Sequence, residues 1–172
     1  TKFLQPSLAR SSMGCNTYDV ACVAYEMFKY QFICTSLKKK SWYEFGIKGW
    51  KQSDCGITLR RKISTELVKE FASLGSLHAK SLENVDEDIP ARNDKNTEQK
   101  ALTKVSNKLK NISFKDNIMK ECSELFHNED FTKSLDSNNF LMGCENGVYS
   151  LHKDKIYFRE ACPEDLLSHN TR

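Results

Sequence analysis

The sequence predicts an α+β domain: a helical body with small antiparallel β-units near both ends. Three observations predict it. Apolar residues recur at three- and four-residue intervals in several separate stretches, runs of β-forming residues bounded by glycine or polar turns fall before residue 55 and after residue 140, and no repeat occurs at solenoid spacing.

Residues 1–16 read as an N-terminal extension. A first helix is predicted from Thr17 to Tyr30, because Val20, Val23, Ala24, Met27 and Phe28 share a face and Asn16, Thr17 or Asp19 can cap its start. FICTSL, residues 32–37, is a strand leading into a Lys38–Lys40 turn; SWYEF is a second strand, and the segment around Trp50, beyond Gly46 and Gly49, a third. Thr58 is a candidate cap for a long helix with Leu59, Ile63, Leu67, Val68, Phe71 and Leu74 on its apolar side, ending near Gly75 or near Leu82. Residues 84–97 are polar and aperiodic, which predicts a surface loop with mobility. Two shorter helices follow, one carrying Leu102, Val105 and Leu109, the other Ile118, Met119, Cys122, Leu125 and Phe126 with Ser113 as its cap. The pattern then turns to strands: FLMGC, GVYSL, a polar HKDK turn and IYFRE. The domain is expected to span 17–169, with 170–172 starting a linker.

With 172 residues, 39% apolar and 28% charged, the chain suits one globular domain and is too short for a full replicative motor. No run of eighteen apolar residues occurs, and the opening TKFLQPSLAR lacks the apolar region of a signal peptide, so an intracellular setting without membrane is expected. Seven cysteines at irregular spacings form no CxxC pair, and the expectation is reduced thiols, mostly buried.

Charge is distributed unevenly. The net charge is +3, yet between Lys38 and Lys62 eight basic residues face two acidic ones, a local +6. Three clusters make up this pole: Lys38, Lys39 and Lys40 at one turn, Lys48 and Lys51 flanking another, and Arg60, Arg61 and Lys62 opening a helix against its dipole, where a bound anion would relieve them. Convergence of the three would form a phosphate-binding surface for single-stranded DNA, with Trp42, Tyr43 and Trp50 interleaved as base-stacking rings; a solvated basic face with the tryptophans in the core is the plainer alternative.

Other chemistry finds little support. The phosphate-loop string G-x-x-x-x-G-K-[ST] is missing, so no nucleotide hydrolysis is expected of this chain. The one dense carboxylate cluster, Asp86, Glu87 and Asp88, falls in the predicted loop, where a solvated acidic segment is the simpler reading than a metal site. His78, His127, His152 and His169 are scattered and share no ligand spacing with cysteines or carboxylates. Tyr149, Tyr157 and Phe158 read as hairpin packing residues, and Asn146-Gly147 as a turn in which both residues can take positive φ.

The C-terminal segment FLMGCENGVYSLHKDKIYFREACPEDLLS resembles a signature that precedes the superfamily III helicase in primase-helicases of nucleocytoplasmic large DNA viruses, of poxvirus, asfarvirus and mimivirus type, and in related phage and plasmid primases. Asn146, Gly147, Val148, Tyr149 and Leu151 match its first half, and Pro163, Glu164, Asp165 and Ser168 its second; Ser150 stands where aspartate is usual. Upstream, the helix from Tyr18, the strand pair up to Trp50 and the helix from Ile57 are similar to the same domain. The resemblance implies a non-catalytic linker or collar domain that guides single-stranded or forked DNA to a hexameric helicase during genome replication, adjoining primase and helicase domains in the parent protein. ATP and Mg belong to that parent, none being expected in this fragment, and the host cytoplasm or nucleus is the implied setting. A protein-interaction and oligomerisation module with no DNA binding of its own is the alternative.

Overall fold

The structure, a computed structural model, describes Gly14 and residues 16–83, 89–152 and 155–168. Its elements are α1 (Thr17–Phe28), β1 (Phe32–Ser36), β2 (Ser41–Gly46), β3 (Gly49–Asp54), α2 (Ile57–Lys62), a π turn (Ile63–Leu67), α3 (Val68–Glu83), α4 (Ile89–Lys108), α5 (Ile112–Leu125), α6 (Phe131–Ser134), β4 (Leu141–Cys144), β5 (Gly147–His152), β6 (Lys155–Arg159) and a 3₁₀ turn (Pro163–Asp165). The α+β expectation holds, with two antiparallel three-stranded sheets, β1-β2-β3 and β4-β5-β6. The chain divides into two units: residues 1–27 with 59–125, whose described elements are helices, and residues 28–58 with 126–172, whose described elements include both sheets.

In the helical unit, Asn16 caps α1, its side-chain oxygen accepting from the Tyr18 N–H at 3.2 Å. α2, the π turn and α3 form one continuous helix. Leu59, Ile63, Leu67 and Phe71 are fully buried along it at strict four-residue spacing. In an unbroken α-helix each such step overshoots a full turn by about 40°, so three would carry the stripe roughly 120° around the axis. The wider winding of the π turn takes up that excess. Side chains assist: Ser64 Oγ donates to the Arg60 carbonyl and Thr65 Oγ1 to that of Arg61, which loosens the local ladder. α3 then packs along α4, where Leu102 and Val105 are buried, as is Leu109 just beyond its end, and Gly75 lies opposite Leu102.

Three details depart from the sequence reading. Thr58 lies inside the first turn of α2 and does not cap it; Gly56, at φ 63°, turns the chain into the helix. Residues 89–97, expected in a loop, are helical, while 84–88, including the acidic triplet, lie outside the described residues. Pro90 sits in the first turn of α4, where a missing N–H costs nothing, and the polar residues that follow gave no apolar period to read. Asn111 caps α5 in place of Ser113, accepting from the Phe114 N–H at 3.1 Å.

In the sheet unit, Trp42 and Trp50 occupy opposite faces of β1-β2-β3, since Trp42 pairs with Ser53 and Trp50 with Phe45. Trp42 packs on Phe126, and Trp50 meets Phe131 and Phe45 at 5.0 and 5.4 Å between ring centroids. The Phe126–Asn128 backbone runs beside β1, tied by Cys34 N–H to Phe126 O and Asn128 N–H to Cys34 O, both 2.9 Å. The C-terminal turn closes over β3: the Trp50 indole N–H donates to the Pro163 carbonyl at 2.8 Å and the Trp50 amide to that of Leu167 at 2.7 Å.

Candidate nucleic-acid interface

The first lysine cluster is held by a defined turn. A register shift between Cys34 and Ser36 precedes the last pair of the β1-β2 ladder, Ser36 with Ser41; Ser36 Oγ accepts from the Lys39 N–H at 3.2 Å, and Lys40 takes φ 49°, a left-handed conformation that returns the chain into β2. Lys38, Lys39 and Lys40 are all exposed and make no ion pair among the described residues. Three ammonium groups on consecutive residues repel one another, and an anion laid across the turn relieves that repulsion.

The other basic residues are placed differently. Lys48 lies at the far end of β2, about 20 Å from the Lys38–Lys40 turn at the usual strand rise, and pairs with Glu145 at 3.0 Å across two exposed turns. Lys51 faces its register partner Glu44 at 2.8 Å. Lys38–Lys40, Lys48 and Lys51 therefore do not converge, because strand geometry separates the two turns and carboxylates engage the latter pair. In the helical unit Arg60 is ion-paired with Asp116 of α5, whose carboxyl the Arg60 hydrogen bond holds below its ordinary value, and Lys62 with Glu66 at 2.7 Å. The anion expected to relieve this helix start is supplied by the chain's own carboxylates. Arg61 is exposed and makes no ion pair among the described residues.

The aromatic part of the expectation is corrected. Trp42 and Trp50 are each only 2% exposed and cannot stack a base without unfolding the sheet. Tyr43 is half-buried, its ring edge-on to Phe131 at 5.2 Å. Both faces of a sheet this small are covered by the chain itself, so aromatics placed next to lysines in sequence end up inside.

At the second sheet the reverse holds. Met142, Tyr149 and Phe158 are register partners across β4, β5 and β6 and are 38, 37 and 45% exposed, with Tyr149 and Phe158 in ring contact at 5.1 Å. They stack on one another on an outward face that also carries Ile156, so the expected packing role is only partly met; Tyr157, on the other face, is 43% exposed. The inward face is made by Val148 and Ser150, and an aspartate at Ser150 would have to bury its charge.

The matched signature residues perform structural tasks. Neither Asn146 nor Gly147 takes positive φ, contrary to the turn reading. Gly147 is needed for space: a Cβ there would stand 2.4 Å from the Arg159 carbonyl oxygen and 2.5 Å from Phe158 Cζ. Asp165 is buried and grips the Arg159 guanidinium with both oxygens, at 2.8 and 2.5 Å, while accepting the Cys162 N–H at 2.8 Å. Burial pushes the Asp165 carboxyl up, but the Arg159 hydrogen bonds, the Cys162 N–H and the Arg159 charge outweigh it, and the group stays below its ordinary value. Asp136 accepts from both the N–H and the hydroxyl of Ser168.

Among the described residues, cysteine and histidine side chains do not assemble a metal site. Cys34 and Cys122 are buried, and burial pushes both thiols up; Cys22 and Cys144 are half-buried; Cys55, in the turn after β3, and Cys162, in the segment after β6, are exposed, against the expectation of mostly buried thiols. No group of three or more metal-ligating side chains occurs among the described residues. His169 and the side chains of His78 and His152 lie outside the described residues, and no described helix is long and apolar enough to cross a membrane.

Fold and surface thus define a two-unit α+β domain with a basic hairpin turn and a C-terminal strap of PEDLLS type. The chain belongs to the family described as D5 N terminal like, whose model matches residues 23–172. It is similar to "Putative helicase L207/L206" of Acanthamoeba polyphaga mimivirus, 34% identical over 161 residues, and to "Putative helicase 022R" of Frog virus 3, 28% identical over 182 residues; these matches cover 94% and 87% of the chain. A shorter match, 36% identical over 67 residues, is to "Putative helicase 121R" of Invertebrate iridescent virus 3; it covers 39% of the chain and 7% of the relative. The chain spans 16% and 18% of the length of the first two relatives. It is a domain of the viral primase-helicase family that the C-terminal signature resembles.

Proposed function

We propose that this domain binds single-stranded or forked DNA and couples it to a hexameric, ATP- and Mg-dependent helicase in the parent protein, without catalysing a reaction itself. The observation that carries the reading is the Lys38–Lys40 turn: three exposed, consecutive cations fixed by a hydrogen-bonded hairpin, in a chain where other basic residues nearby are engaged by carboxylates. Contacts of this kind meet the phosphate backbone and not the bases, so binding is weak, sequence-tolerant and steeply salt-dependent. Fluorescence anisotropy with labelled oligothymidylate tests it. Replacing all three lysines by alanine is expected to weaken binding about tenfold at low salt and flatten the salt dependence, each lost phosphate contact removing about 0.7 from the log–log slope. Unchanged affinity and slope would sink the reading.

A second reading has its own support in the outward Met142-Tyr149-Phe158 ladder, an apolar face with an aromatic pair that suits protein contact. On this reading the domain is an interaction and oligomerisation module of the helicase collar, adjoining primase and helicase domains, and the lysine turn is incidental. Phe158→Lys in the parent protein would then shift light-scattering mass toward smaller species while leaving DNA affinity per folded molecule unaltered. Unaltered mass would remove that reading.

A further inference from the structure

We infer that the exposed side of the α2–α3 helix is a second phosphate-binding track, running from Arg61 through Lys69 to Lys80, distinct from the Lys38–Lys40 turn. The inference rests on the DNA-binding reading above and adds a site to it.

The π turn sets the geometry. It keeps Leu59, Ile63, Leu67 and Phe71 in one buried line, and the residues two positions after each, Arg61, Thr65, Lys69 and Ser73, lie about 200° away, on the opposite side. In a straight α-helix that outer line would drift with the inner one. Here it stays aligned and continues through Ser76 to Lys80 at ordinary helical spacing, and all six residues are exposed. The stripe holds three cations and three hydroxyls. Arg61 and Lys69 make no ion pair among the described residues, and the neighbouring exposed carboxylate, Glu66, is paired with Lys62.

Shape agrees with charge. Lys69, Ser73, Ser76 and Lys80, with Ala72 and Leu77, line a shallow groove of about 630 Å³. Its walls combine cations for phosphate oxygens with small residues that let a strand approach the helix. Thr65 and Ser76 hydroxyls now donate to the Arg61 and Ala72 carbonyls, and each can rotate toward a phosphate oxygen when one is present. The nineteen steps from Arg61 to Lys80 at 1.5 Å rise extend about 28 Å, the span of roughly eight phosphates at 3.4 Å each and fewer in an extended strand. That length falls within the range of single-strand site sizes.

The test uses the whole 172-residue chain, labelled oligothymidylates of increasing length, and anisotropy across a salt series. Arg61→Ala, Lys69→Ala and Lys80→Ala together are expected to lower affinity about tenfold and reduce the log–log salt slope by about 2, three contacts at about 0.7 each. Lys69→Arg with Lys80→Arg should retain binding. Removing three other exposed charges of the helical unit, at Lys104, Lys110 and Lys120, should leave the slope unchanged; an equal effect there would reduce the track to net charge and overturn it. Loss of binding on changing the helix but not Lys38–Lys40 supports the track and overturns the turn reading. Loss on changing Lys38–Lys40 but not the helix overturns the track alone. If the unaltered chain binds no oligothymidylate at low salt, both fail. Thermal melts of every variant establish that it is folded.

Discussion

Sheet β1-β2-β3 and sheet β4-β5-β6 have equal strand numbers and both carry aromatic rings, yet they end in opposite states. The first has a buried tryptophan on each face, covered by Phe126, Phe131 and the C-terminal turn. The second buries Val148 and Ser150 inward and leaves Met142, Tyr149, Ile156 and Phe158 facing out. Strand propensity does not distinguish them. What distinguishes them is whether other segments of the chain arrive to cover the second face, which is a matter of connectivity. An aromatic in the first sheet is therefore a stability element, and an aromatic on the outer face of the second is surface.

The strongest test of that contrast is Trp50→Ala, which removes the ring between Phe45 and Phe131 and leaves the Pro163 carbonyl without its indole donor. A loss of about 4 kcal/mol is expected, against less than about 1 kcal/mol for Phe158→Ala on the outer face, both read from denaturant titrations. Similar losses at the two positions would erase the distinction.

Gly147→Val comes next, with an expected cost of about 3 kcal/mol, since the obstructing atom is the Arg159 backbone oxygen and cannot swing away. DNA affinity per folded molecule should be unaffected. A melting temperature equal to that of the parent, with DNA binding abolished, would make this hairpin functional surface instead.

A smaller effect is expected at the Arg159–Asp165 pair, where Arg159 is partly exposed and solvent screens the interaction. Asp165→Asn should cost about 2 kcal/mol at neutral pH. Because the folded carboxyl lies below its ordinary value, its contribution is fully present above about pH 4, the unfolded value, and is lost as pH falls through the lower folded one. The unaltered chain should therefore lose more stability between neutral and strongly acid pH than the asparagine variant does. Parallel pH–stability profiles would show that this pair contributes nothing.

Much of the architecture was legible in the residues. The α+β class, all six strands and the helices carrying Leu59–Phe71, Leu102–Leu109 and Ile118–Leu125 follow from periodicity and turn chemistry. Residues 89–97 were not legible as helix, because a helix start with few apolar residues has the composition of a loop. The π turn was equally hidden: strict four-residue spacing looks like ordinary amphipathicity until the accumulated rotation is followed along the axis.

The sequence by itself determined where positive charge is concentrated, that a lysine triplet occupies a hairpin turn, and that the C-terminal signature belongs to a viral primase-helicase domain. Only the tertiary structure decided which of those charges remain available. Glu145, Glu44 and Asp116 come from neighbouring strands or from segments far away in sequence to engage Lys48, Lys51 and Arg60, and Phe126 and Phe131 arrive to bury Trp42 and Trp50. The physical reason is range: helix period, turn preference and charge density are properties of a few consecutive residues, whereas ion pairing and burial depend on partners that only the folded chain brings within a few ångströms.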